Sequence, residues 1–182
     1  MPQLDPSKLK IGDVVLVAGG KGAVQSFQER AGCGQSARWT HVAGCLGGVD
    51  AVETRMPRSR LVNIQKEYID KGLTIKVMRR KGQAEAQRYK TAIWWATMNN
   101  LPYDTLQIVC FPLVAFFGRA VYQAIHNLFG SSRRFVCSEL IATGFYKEGD
   151  YLFNKPATDV LPADFDNLKL FEEVGDIWLN LN

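Results

Sequence analysis

The first half of the chain carries four short runs rich in β-branched residues, Asp13 to Val17, His41 to Leu46, Val49 to Thr54 and Thr74 to Arg79, each bounded by glycine or polar turn residues. Runs of this length read as strands. The turn Gly47-Gly48-Val49-Asp50 is tight enough to fold His41 to Leu46 back against Ala51-Val52-Glu53-Thr54 as an antiparallel hairpin. Further along, the periodicity changes. Tyr89, Ala92, Ile93 and Ala96 recur at i, i+3, i+4 and i+7, which predicts a helix with one apolar stripe ending near Asn99-Asn100-Leu101-Pro102. A second helix is predicted from Cys137, where Leu140 with Gly144 and Ile141 with Phe145 form inward i, i+4 pairs and Gly149 offers a stop. Strand-like Leu170 to Val174 and Asp176 to Leu179 close the chain. Strands and helices segregated in this way predict an α+β fold, a mainly antiparallel sheet packed with helices.

Within that frame one cysteine is placed for chemistry. Cys137, in Arg133-Arg134-Phe135-Val136-Cys137-Ser138-Glu139-Leu140-Ile141, lies where a polar loop enters an apolar helical stretch, so its thiol falls at a helix N-terminus. The N–H groups and dipole there favour a thiolate, the nucleophilic form. A base is then required, and the chain has two histidines. His41 begins a buried strand, and the hairpin brings Glu53 near it as a carboxylate that can orient the ring. His126 sits in an apolar helical segment and reads as structural. Each residue alone has a plainer reading: Cys137 as a small buried hydrophobe, His41 as a satisfied core histidine, Glu53 as a surface strand residue. Cys33, His41 and Cys45 lack the knuckle spacing and fourth ligand of a zinc site, so neither a metal nor an organic cofactor is expected. Glu139, in the first helical turn, would raise the thiol pKa if it faced the sulfur, and is expected to point away.

Composition narrows the partners. With 182 residues, 47% of them hydrophobic, the chain has the size of one domain, 1–182, with an apolar helical insertion at about 105–130. A net charge of +4 on scattered basic residues argues against nucleic acid. Four irregularly spaced cysteines suggest a reducing compartment rather than a disulfide framework, and Met1-Pro2-Gln3-Leu4-Asp5-Pro6 has no signal-peptide pattern. A cytoplasmic protein is expected. Leu106 to Phe117 is the most apolar stretch; at fewer than roughly 20 residues, and interrupted by Pro112, it is too short to cross a bilayer. It reads as a buried helix, or as a substrate wall or peripheral membrane contact in which Phe116 and Phe117 meet an acyl chain. Arg133 and Arg134 read as a solvated loop, or as ligands for a substrate carboxylate or phosphate.

Several motifs together resemble a known group. Leu9-Lys10-Ile11-Gly12-Asp13-Val14-Val15-Leu16, Thr40-His41-Val42-Ala43-Gly44 with Glu53 downstream, Pro102-Tyr103-Asp104 and Phe135-Val136-Cys137-Ser138-Glu139-Leu140 are similar to motifs of the papain-like thiol hydrolases of the NlpC type, in the circularly permuted YiiX/YaeF-like branch. Asp159-Val160-Leu161-Pro162-Ala163-Asp164-Phe165 with Phe171-Glu172-Glu173-Val174-Gly175 resembles its closing segment. His41 and Glu53 precede Cys137, the order of that branch. The resemblance implies a permuted papain-like fold and a cysteine amidase or peptidase acting on a peptide-like substrate, with Cys137 as nucleophile, His41 as base and Glu53 as orienter. A looser likeness to the lecithin:retinol acyltransferase type implies instead an acyl-bearing lipid substrate. A binding module that retains the fold without turnover is the third reading.

Overall fold

The computed structural model describes residues 2–20, 22–104 and 135–179. The β-branched runs form one antiparallel sheet with the order β4-β3-β2-β1-β5-β6. Its strands are β1 (Val14–Ala18), β2 (His41–Gly47), β3 (Asp50–Arg55), β4 (Arg58–Asn63), β5 (Thr74–Arg80) and β6 (Phe171–Glu173). β1 lies at the centre, and its Val14 to Val17 are buried on both faces, which is why this stretch reads as a continuous apolar run rather than an alternation. Asp13 precedes the strand instead of belonging to it. Its buried carboxylate accepts the Lys10 N–H and pairs with Arg79 and Arg88, tying β1 to β5 and to the helix that covers them.

Two apolar layers flank the sheet. Val15, Val17, Ala43 and Ala51 pack with Ile64, Tyr68 and Ile69 on one face. Val14, Leu16, Val42 and Val52 pack on the other with helix α2 (Glu85–Thr97) and helix α3 (Cys137–Lys147), which follows α1 (Ala23–Arg30) and α2 in chain order. Trp95 is the wedge of the second layer. A Cβ at Gly44 of β2 or Gly144 of α3 would collide with its indole, and its Nε1–H donates to the Ile141 carbonyl at 3.2 Å. Two glycines thus let one tryptophan lock α3, and with it Cys137, against β2.

The predicted α2 stripe is corrected by this packing. Thr91, Ala92 and Trp95 are the buried residues, whereas Tyr89 and Ile93 are 47% and 60% exposed. Every residue from Ala92 to Ala96 is apolar, so two stripes fit the pattern. The face carrying Trp95 turns inward because Gly44 and Gly144 make room for it. Leu140, Ile141, Gly144 and Phe145 of α3 are buried as expected, and Gly149, at φ +78°, takes the left-handed turn after the helix. The expected strand Asp176 to Leu179 is reduced to an isolated bridge between Leu4 and Trp178. The predicted insertion at 105–130, with Phe116, Phe117 and His126, and the pair Arg133 and Arg134 lie outside the described residues. Among the described residues, no helix is long and apolar enough to cross a membrane.

Candidate active site

The three residues singled out from the sequence meet at one end of the sheet. Glu53 pairs with Ala43 across the β2–β3 hairpin, so it shares a face with His41, two residues earlier on β2. The His41 Nε2 lies 2.5 Å from the Glu53 Oε2. His41 opens its strand, which leaves its ring free to reach the start of α3. There it hydrogen-bonds the thiol of Cys137, the first residue of that helix. With Nε2 on Glu53, Nδ1 is the ring nitrogen left to face the sulfur. The His41 side chain is 17% exposed and that of Glu53 fully buried. The relay is therefore solvent-accessible only at its reactive end.

The electrostatics follow from these contacts. Burial opposes ionisation of Cys137, but the His41 charge and hydrogen bond, with the backbone N–H groups of Val42 and Ser138, outweigh it and hold the thiol below its ordinary range. Burial likewise opposes an imidazolium at His41. Cys137 and Glu53 overcome it and push the ring pKa up. Glu53 is desolvated too, yet His41, Tyr68 and Arg60 bring its carboxyl down to about 2. A thiolate–imidazolium pair braced by a carboxylate is the state these groups favour.

Glu53 is held more tightly than the sequence revealed. The Tyr68 hydroxyl donates to its Oε2 at 2.6 Å, and Arg60 donates to its Oε1 through Nε at 2.8 Å and Nη2 at 2.6 Å. Arg60 lies directly opposite Glu53 in the β3–β4 register. Recognising Arg58–Asn63 as a strand would have found it, but its charged and polar residues mask a β pattern. Tyr68 comes from the short π-turn Gln65–Ile69, for which the sequence carries no signal. Glu139 also behaves as a buried group. Burial pushes its carboxyl up to about 8 while it accepts the Val136 N–H, so near neutral pH it is mostly protonated and adds little negative charge near the sulfur.

A narrow cleft of about 70 Å³ opens onto the pair, with Val136, Cys137, Ser138, Tyr103, Thr54 and Arg55 among its lining residues. Comparison with protein-family models and with curated proteins found no match. The chemistry of the cleft therefore rests on its own geometry. Burial raises the Tyr103 pKa well above the ordinary tyrosine range, with the charge of Cys137 adding to the effect. It thus lines the nucleophile's cleft as a neutral phenol, a placement that Pro102-Tyr103-Asp104 did not disclose. Among the described residues, no group of three or more His, Cys, Asp or Glu side chains is placed to hold a metal ion.

Proposed function

We propose that the chain is a cysteine-dependent hydrolase of the permuted papain-like, NlpC-type fold, cleaving an amide bond in a peptide-like substrate. The observation that carries this reading is the relay of Cys137, His41 and Glu53, with the thiol at the first residue of α3 and one ring nitrogen fixed on a buried carboxylate. The order of these residues along the chain and the helix packed against an antiparallel sheet support the fold assignment.

In this mechanism the Cys137 proton resides on His41 before substrate arrives. The thiolate attacks the acyl carbon, forming the C–S bond and a tetrahedral oxyanion. The Cys137 N–H, at a helix start where N–H groups have no intrahelical partner, donates to that oxygen, and the Tyr103 hydroxyl supplies the second donor. His41 gives its proton to the amine as the C–N bond breaks. It then takes a proton from water, whose oxygen attacks the thioester and releases the acid and the thiolate. Glu53 holds the ring tautomer and balances the imidazolium throughout.

The experiment that tests this incubates the protein with separate panels of peptides, peptidoglycan fragments and phospholipids, and looks for an acyl adduct on Cys137 by mass spectrometry. A thioester from a peptide or peptidoglycan fragment is the expected outcome. An adduct from phospholipid alone would overturn the amidase reading in favour of acyl-lipid chemistry.

A further inference from the structure

Arg55 occupies an unusual position among the cations of this sheet. It ends β3, two residues beyond Glu53, and lines the cleft shared by Cys137 and His41. Beyond that pair it is the one charged lining residue among those described. Its ion pair is the weak member of a crowded set. Glu67 receives Arg60 at 2.7 Å and Lys71 at 2.8 Å, whereas Arg55 reaches the same carboxylate only at 3.4 Å, with its side chain 55% exposed. An exposed ion pair stretched in this way contributes little, so the guanidinium is available to another anion.

The neighbouring residue supplies an independent sign. Thr54 lines the same cleft and is 1% exposed, and its hydroxyl has no hydrogen-bond partner among the described residues. Buried hydroxyls are nearly always paired, and one left open at the wall of a cleft is the type of group a ligand completes. Consecutive strand residues project to opposite sides, so the two contribute separately: the Arg55 guanidinium offers a planar N–H fork that suits a carboxylate, and the Thr54 hydroxyl offers a further open O–H in the cleft wall.

We propose that Arg55 is the anion-recognition residue of this cleft, with the Thr54 hydroxyl a separate donor in its wall, so that the substrate carries a carboxylate. The inference rests on Cys137 being the nucleophile and adds the substrate class.

Two alkylating reagents that differ in one group test it. Iodoacetate and iodoacetamide both form a C–S bond with the Cys137 thiolate and expel iodide, but only the first carries a carboxylate. The ratio of their rate constants at Cys137, read by peptide mass spectrometry, should fall about fivefold or more in Arg55→Gln and recover in large part in Arg55→Lys, which keeps the charge. Arg58→Gln removes an exposed cation that does not line the cleft and should leave the ratio at the wild-type value. Rapid labelling of Cys137 with a ratio that Arg55→Gln does not move, or that Arg58→Gln lowers equally, overturns the anion subsite alone. Labelling of wild-type Cys137 no faster than Cys33 with either reagent overturns the thiolate, and the subsite with it.

Discussion

Cys45 and Cys137 are both buried, at 0% and 8% exposure, and each packs into one of the two apolar layers of the same sheet. Their thiols are nevertheless driven in opposite directions. Cys45 lies within β2, four residues after His41, where burial and the charges of Asp13 and Asp50 push it up to about 12, outweighing the N–H of Gly47 and a weaker pull from Arg79. Cys137 bears the same desolvation but meets His41 and the N–H groups of Val42 and Ser138, and its pKa is lowered. Burial by itself makes a cysteine inert. A reactive one requires a cationic partner and backbone donors that outweigh the burial.

The contrast is broken most severely at His41. His41→Ala removes the cation and should cut both turnover and fast alkylation of Cys137 by about 10²-fold or more, returning it toward the unreactive behaviour of Cys45. Glu53→Gln keeps the shape and deletes the charge. It should lower kcat by about tenfold or more, with binding largely retained. It should also shift the alkaline limb of the turnover profile to lower pH, because His41 loses an anion that raises its pKa.

The two buried glutamates extend the comparison to stability. Glu53, lowered from 4.5 to about 2, contributes stability that is present above pH 4.5 and lost as pH falls through that window. Glu139, raised from 4.5 to about 8, has the opposite sign. The folded state holds its proton more tightly, so this contribution declines as pH rises from 4.5 to 8. Glu139→Gln should flatten that decline in urea-unfolding measurements made across the window. The smallest effect belongs to Cys45→Ala, which should leave the alkylation rate of Cys137 unchanged.

How much of this was legible in the sequence differs between the two sides of the hairpin. The strand β2, the turn after it and Glu53 on β3 followed from β-branched runs and paired glycines, and the same pattern brought His41 and Glu53 onto one face. The helix start at Cys137 was legible from the change of periodicity. The support of Glu53 was hidden because Arg60 lies on a charged edge strand and Tyr68 on a π-turn, neither of which leaves a hydrophobic rhythm. The α2 face was misread because periodicity cannot choose between two overlapping apolar stripes. That choice was made by the space above Gly44 and Gly144, which are distant in sequence. Thr54 was readable as the end of a strand and Arg55 as the residue just beyond it, but their place in the cleft depends on how α3 docks.

Competitive labelling of the native protein tests the central claim most directly. Limiting iodoacetamide at near-neutral pH, followed by peptide mass spectrometry, should modify Cys137 well before Cys33, Cys45 or Cys110, and unfolding should abolish the preference. Labelling of the native chain with no preference for Cys137 would contradict the account.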